Sequence, residues 1–238
     1  KVFIALIISI LLITSFLKVK AEEEEMTIPL SDGSGDLVYL GTTTKVVIPS
    51  QYLKPETEFR AVWISALVGD IATFSTEAQY KKEILSVFST LEQYHINVMI
   101  FHVRIYNDAF YQSKYNAWSK YYHTDPSWEA LPWIIEEAHK RGMELHAWFN
   151  PYRVERAVGN YTTAPNHVTN QHPDWIIQIS TFKFLDPGLP MVRDYVTSVI
   201  YDVVSRYDVD GIHADDYFYP YPPNQITNQD AATFAAYP

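Results

Sequence analysis

The sequence predicts an α/β fold, a (β/α)8 TIM-type barrel of which about the first four βα units lie within the chain. Three observations predict it. After Pro55, short apolar runs alternate with segments of helical periodicity, the pattern of a parallel sheet joined by crossover helices. Right-handed crossovers leave a barrel or an open doubly wound sheet, and no glycine-rich turn follows the first strand, so the usual signature of a dinucleotide-binding sheet is missing. The two longest connections, 105–126 and 150–189, both follow strands, as the active-face loops of a barrel do.

The elements follow in order. Residues 59–65 (FRAVWIS) form a strand, and Thr76 with Gln79 makes a capping box that opens a helix carrying Ile84, Val87, Phe88 and Leu91 at helical spacing. Residues 97–104 (NVMIFHVR) form the second strand. The next helix starts at Asp125-Pro126, presents Leu131, Ile134, Ile135 and Ala138 on one face and stops at Gly142. Residues 143–150 (MELHAWFN) are the third strand. A helix entering at Pro190 with Val192, Tyr195, Val196, Val199 and Val203 leads to the fourth, residues 209–216 (VDGIHADD). A full barrel takes about 250 residues and eight strands, so residues 56–238 read as a partial barrel that is inactive without its continuation.

Ahead of the barrel, Lys1 precedes an apolar run over residues 2–17, then Lys18, Lys20 and Ala21. This order reads as a signal peptide over residues 1–21, too short for a relaxed spanning helix of about 20 residues. The alternative is a retained anchor that attaches the protein to a membrane through residues 2–17. Either reading puts the body of the protein outside the cytoplasm. Residues 22–55, with the acidic run Glu22 to Glu25 and the turn cluster Ser31 to Asp36, read as a linker with one short strand.

Composition narrows the chemistry. The 238 residues carry 28 acidic and 18 basic side chains, a formal charge of −10, which disfavours phosphate contacts and hence nucleic acid as a partner. With 47% apolar and 19% charged residues the chain can bury a sizeable core. It has no cysteine, which removes thiolate nucleophiles, disulfides and cysteine-ligated zinc. No cofactor signature is present.

Strand parity then sorts inward from outward residues. On the third strand Glu144, His146, Trp148 and Asn150 share one face, while Leu145, Ala147 and Phe149 share the other, suited to packing under helices. On the fourth, Gly211, His213 and Asp215 oppose Ile212 and Ala214. On the second, His102 and Arg104 share parity. Nucleophilic serine catalysis lacks a GxSxG elbow. Metal-assisted hydrolysis could draw on His102, His146 and His213, though no HxH or HExxH spacing supports it. Glycosidic hydrolysis needs carboxylates, hydroxyl-binding groups and aromatic platforms. The aromatics are plentiful: Tyr106, Phe110, Tyr111, Tyr115, Trp118, Tyr121 and Tyr122 follow the second strand, and Tyr217, Phe218, Tyr219 and Tyr221 follow the fourth.

The runs NDAFYQSKYNAWS (107–119), DPSWEALPWIIEEAHKRGMELHAWFNPYR (125–153), LDPGLPMVRDYV (185–196) and DGIHADDYFYPYP (210–222) resemble the bacterial glycosyl-hydrolase-like family ten, envelope proteins with a (β/α)8 barrel. The resemblance runs from about Glu58 to the C-terminus. It implies cleavage of polysaccharide, with cell-wall glycan strands as the substrate class, and a second half that carries further active-site residues. DGIHAD is also similar to the fourth-strand motif of amylase-like barrels, whose final Asp attacks the anomeric carbon. Asp215 is the expected catalytic carboxylate on that likeness, and Asp216 is either its acid partner or a strand cap. Arg104, Asp108, His146, Trp148, Asn150, Tyr152, Arg153, His213, Tyr217 and Tyr219 are the candidate glycan-binding residues. Arg104 with Asp108 can equally be an ion pair, and His102 reads as a satisfied barrel histidine.

Overall fold

The computed structural model describes residues 25–50, 57–72, 76–122, 127–156, 163–215, 218–220 and 226–236. The expected export segment 1–21, Asp216 and Tyr217 lie outside the described residues, as do Asp125 and Pro126, and the helix expected to start at those two begins instead at Ala130. The chain divides into two compact units, 1–58 and 59–238.

In the first unit, β1 (Glu25–Thr27) pairs antiparallel with β2 (Val47–Pro49), and the bridges Pro29↔Asp36 and Val38↔Lys45 continue the ladder inward. The expected linker with one strand is therefore a folded-back two-stranded ladder. Local chemistry closes it. Asp32 accepts from the Ser34 amide at 3.0 Å, Gly33 takes φ +73° and Lys45 pairs with Asp36 at 2.7 Å.

The second unit begins with β3 (Ala61–Ile64), α1 (Glu77–Gln93) and β4 (Val98–Arg104). The Thr76 hydroxyl accepts from the Gln79 amide at 3.3 Å, as the capping box requires, and α1 buries Tyr80, Ile84, Phe88 and Leu91. After β4 the chain makes the short parallel pair β5 (Asp108–Ala109) and β6 (Ala117–Trp118), then α2 (Ala130–Lys140) and β7 (Glu144–Phe149). The α2 cap position is Glu129, and its carboxylate is engaged elsewhere, by the Gln112 amide at 2.7 Å and the Tyr207 hydroxyl.

The connection after β7 is far from irregular. It holds β8 (Arg153–Glu155), the one-turn α3 (Val168–Gln171), a 3-10 turn at Pro173–Trp175, β9 (Ile176–Ile179) and β10 (Phe182–Leu185), arranged as an antiparallel sheet in the order β8-β10-β9. Ser180 and Thr181 close the β9–β10 hairpin, with Ser180 at φ +54° as a tight two-residue turn demands. Val154, Val168, Leu185, Val192 and Val196 form a small second core beneath this sheet. Then come α4 (Pro190–Arg206), started by Pro190, β11 (Gly211–Ala214) and α5 (Ala231–Ala236).

The central sheet is all parallel, in the order β11-β7-β4-β3, so each strand lies beside the previous one in a single winding direction. Ile64, Met99, Phe101, Val103, Leu145, Ala147 and Phe149 point to one face and form one core with Ile84, Phe88 and Leu91 of α1, Leu131, Ile134 and Ile135 of α2, and Val199 and Val203 of α4. Fully burying each of the Val, Leu, Ile, Phe and Met side chains among them contributes about 1.5–3 kcal/mol. Three helices therefore cover the same face. A doubly wound sheet would divide them between both, so the opposite face, carrying Ile100, His102, His146, Trp148 and His213, is left for other work.

The loop aromatics differ from expectation. Tyr106, Phe110, Tyr111 and Tyr122 are buried in the helix-side core rather than displayed as sugar platforms. Tyr122 stacks with Trp118 at 4.7 Å and meets Phe110 at 5.9 Å, while Phe110 meets Phe101 at 6.2 Å. The amide of Phe110 donates to the Val103 carbonyl at 3.0 Å, so the loop folds straight back onto β4 and carries its rings inward.

Candidate active site

The sheet face opposite α1, α2 and α4 gathers a line of side chains toward the carboxyl ends of its strands. Ser65 follows β3, and a turn holds it: its amide donates to Asp70 Oδ2 at 2.9 Å, the Asp70 amide returns to its carbonyl at 3.2 Å, and Gly69 supplies φ +89°. The Ser65 hydroxyl lies 2.8 Å from His102 Nδ1. The His102 ring stacks face to face on Trp148, with centroids 3.8 Å apart and planes 8° from parallel. The Trp148 indole donates to Asp215 Oδ2 at 3.2 Å. Beside this line, Trp63 donates its indole N–H to His213 Nε2 at 3.0 Å, and His213 meets Trp148 edge-on at 6.1 Å. Trp63 is 56% exposed, so it offers an open aromatic surface beside His213, level with His146 and Gly211 in the sheet.

The register explains the convergence. His102, Trp148 and His213 are paired neighbours across β4, β7 and β11, and one row of inward-facing positions in a parallel sheet points the same way. Of the expected residues, Trp148, His213 and Asp215 come together here. Trp63 and Ser65 join them without having been singled out, and so does His102, which the sequence offered only as a barrel histidine or a metal ligand. Parity could have found the first two, because Trp63 and Ser65 alternate with Ile64, which packs under the helices.

His146 sits one inward position before Trp148, about 7 Å nearer the amino end of the sheet. Its Nε2 lies 2.9 Å from Glu144, and the Phe59 ring covers it at 5.7 Å. Gly211 provides its floor: a Cβ there would come within 2.7 Å of the imidazole. We expect Gly211→Ala to displace His146 and cost about 1–3 kcal/mol in a denaturant melt. The penalty should fall sharply when His146→Ala is added, and full additivity would refute the contact.

Arg104, Asp108, Asn150 and Arg153 occupy a different place. A register shift after His102 sets Arg104 opposite Phe149, so the expected shared parity of His102 and Arg104 is corrected by a bulge. Arg104 is 1% exposed. It donates to the Asn150 carbonyl at 2.7 Å, the Pro151 carbonyl at 3.0 Å, Asn116 Oδ1 at 3.1 Å and Asn107 Oδ1. Asp108 accepts instead from the Tyr106 amide at 3.0 Å and the Ser119 hydroxyl at 2.8 Å, so the two do not form the expected ion pair. Asn150 accepts from the Arg153 amide at 3.0 Å. These groups tie the loops after β4 and β7 together. Tyr152 meets Phe218 at 5.8 Å, and the exposed Tyr219 donates to Asp230 at 3.4 Å.

Among the described residues, no three His, Asp or Glu side chains converge as a metal set. The nitrogens nearest to such a role are engaged: His102 Nδ1 with Ser65, His213 Nε2 with Trp63 and His146 Nε2 with Glu144.

Burial keeps His102 neutral, pulling its pKa down to about 3 with a smaller push from His213, and burial lowers His167 as well. The unfolded chain takes up these protons near 6.5 and the folded chain does not. For His102, stability should therefore fall as pH drops from 6.5 toward 3, at up to about 1.4 kcal/mol per pH unit, and His167 adds to the fall in the same direction. Urea midpoints at pH 7, 6 and 5 should decline in that order. A flat series would show that the two rings are not kept neutral.

Residues 58–238 match the family Glycosyl hydrolase-like 10. The chain belongs to this family. Within the glycosyl hydrolase-like 10 family it is similar to "Glycosyl hydrolase YngK" of Bacillus subtilis (strain 168), 36% identical over 192 residues, which cover 76% of this chain and 36% of that one. It is also similar to "Glycosyl hydrolase DigH" of Escherichia coli (strain K12), 33% identical over 210 residues, covering 82% of this chain and 48% of the relative. The chain thus spans less than half the length of either. Among solved structures it aligns with alpha-L-fucosidase isoenzyme 2 from Paenibacillus thiaminolyticus at a TM-score of 0.49 and 17% identity, covering 76% of this chain and 26% of that one.

Proposed function

We propose that this member of the glycosyl hydrolase-like 10 family supplies the Asp215 carboxylate of a glycoside hydrolase that cleaves polysaccharide, in particular bacterial cell-wall glycan, inside a (β/α)8 barrel. The observation that carries the reading is the Asp215 carboxylate, held by the Trp148 indole at the carboxyl end of β11, on the sheet face opposite the one that α1, α2 and α4 cover. Barrel chemistry occupies that end of the strands. Its surroundings suit a sugar: an exposed indole at Trp63 for a pyranose face, and the imidazole of His213 for hydroxyls. Two relatives carrying the name glycosyl hydrolase support the reaction class. The winding order β3, β4, β7, β11 with helices on one face supports the barrel.

In this reading Asp215 attacks the anomeric carbon or stabilises the oxocarbenium-like transition state, and Asp216 is the candidate proton donor. The basic and apolar order of residues 1–21 supports an enzyme that works outside the cytoplasm, in the cell envelope. The test is the release of new reducing ends from purified peptidoglycan glycan strands by the full natural protein. Binding without release would replace hydrolysis by a glycan-binding barrel, and loss of activity to chelators would favour the histidine-metal alternative.

A further inference from the structure

The Trp148 indole has to be held at one orientation for its N–H to meet Asp215, and the structure shows what holds it. His102 covers one face of the indole at 3.8 Å and 8°. His102 is fixed in turn by Ser65, and Ser65 by the 65–70 turn through the Asp70 carboxylate and the Leu67 amide, which donates to the Ser65 hydroxyl at 3.2 Å. The line runs across β3, β4, β7 and β11 and ends on the carboxylate.

The other ring nitrogen points to the same role. His102 Nε2 is buried without a hydrogen bond of good geometry, the Arg104 backbone giving the ring only a weaker polar contact, an arrangement that costs stability. A histidine placed only to satisfy its own polar groups would not leave one so weakly met, and buried unsatisfied groups mark places where something other than stability sets the geometry. What His102 retains at that cost is the stack on Trp148. Since burial also keeps the imidazole uncharged, it orients the indole without placing a cation beside Asp215.

We propose that His102 is a positioning residue: tied to Ser65 and stacked on Trp148, it fixes the indole N–H that sets the Asp215 carboxylate for reaction. The proposal rests on the reading of Asp215 as the catalytic carboxylate. It adds a role for a side chain that makes no contact with substrate.

The experiment is a mutant cycle read on Trp148 in the full natural protein labelled with 5-fluorotryptophan. The Trp148 fluorine resonance is the one missing from Trp148→Phe. Asp215→Asn should shift it in the wild-type background and in His102→Phe, which keeps a stacked ring. In His102→Ala the shift should shrink to about a quarter or less, because the indole no longer points at residue 215. Ser65→Ala, which removes the tie and keeps the stack partner, should give an intermediate shift and is read in the same way should His102→Ala fail to fold. In kinetics, His102→Ala should lower kcat about 10–100-fold while KM stays within about 3-fold, and His102→Phe should recover most of the loss. The same Asp215→Asn shift in every background would overturn the proposal. Hydrolysis that survives Asp215→Asn would overturn the carboxylate reading alone, since the resonance cycle still judges His102.

Discussion

Asp215→Asn in the full natural protein is expected to lower glycan turnover by at least about 10³-fold, a loss of about 4 kcal/mol of transition-state stabilisation, with KM nearly unchanged. Asparagine keeps the shape and presents an oxygen that still accepts the Trp148 indole N–H, so the hydrogen bond at 3.2 Å and the surrounding rings survive. Only the charge is lost, and charge is what attack at an anomeric carbon or support of an oxocarbenium-like centre requires. The rate of reducing-end release is the measurement. Near-normal turnover in Asp215→Asn beside a dead Asp216→Asn would move the assignment by one residue, and activity in both would place the chemistry elsewhere in the protein.

The second large effect is on stability. Arg104→Ala should cost at least about 3 kcal/mol, because it removes four hydrogen bonds from a charged donor and strands the Asn150 and Pro151 carbonyls in a buried site. With a urea slope of about 2 kcal/mol/M the midpoint should drop by about 1.5 M. Arg104→Lys should recover little, since one ammonium cannot reach acceptors spread over the 107–116 loop and the 150–151 turn as the planar guanidinium fork does. If Arg104 bound glycan instead, the variant would keep its midpoint and raise KM. That outcome would return Arg104 to the list of sugar-contacting groups.

Much of this arrangement was legible along the chain. The capping box at Thr76, the helical spacing of Ile84, Phe88 and Leu91, and Pro190 at a helix start are local signals that depend on residues a few positions apart. The alternation in ELHAWF is equally local, and it placed His146 and Trp148 on one face and Leu145, Ala147 and Phe149 under the helices. The loop after β7 was less legible: IIQISTFKF carries a hairpin pattern, yet its turn has serine at a positive-φ position instead of the usual glycine or asparagine.

The sequence by itself therefore determined the α/β class, the order of the βα units, the face on which the polar residues lie and the family. The tertiary structure decided which of those residues meet. Parity assigns a side chain to a face, but meeting depends on the register between strands dozens of residues apart. A single bulge after His102 was enough to take Arg104 away from the site and into the loop framework. The same register set His102 against Trp148, and Trp148 against Asp215, contacts between residues 46 and 67 positions apart that no local pattern encodes. Packing made the other decision. Most of the aromatics after β4 look like open platforms in a list of residues, but for Tyr106, Phe110, Tyr111 and Tyr122 burial of apolar area against neighbours such as Phe101 and Tyr80 outweighs display to solvent, and these became core while Tyr115 stays exposed.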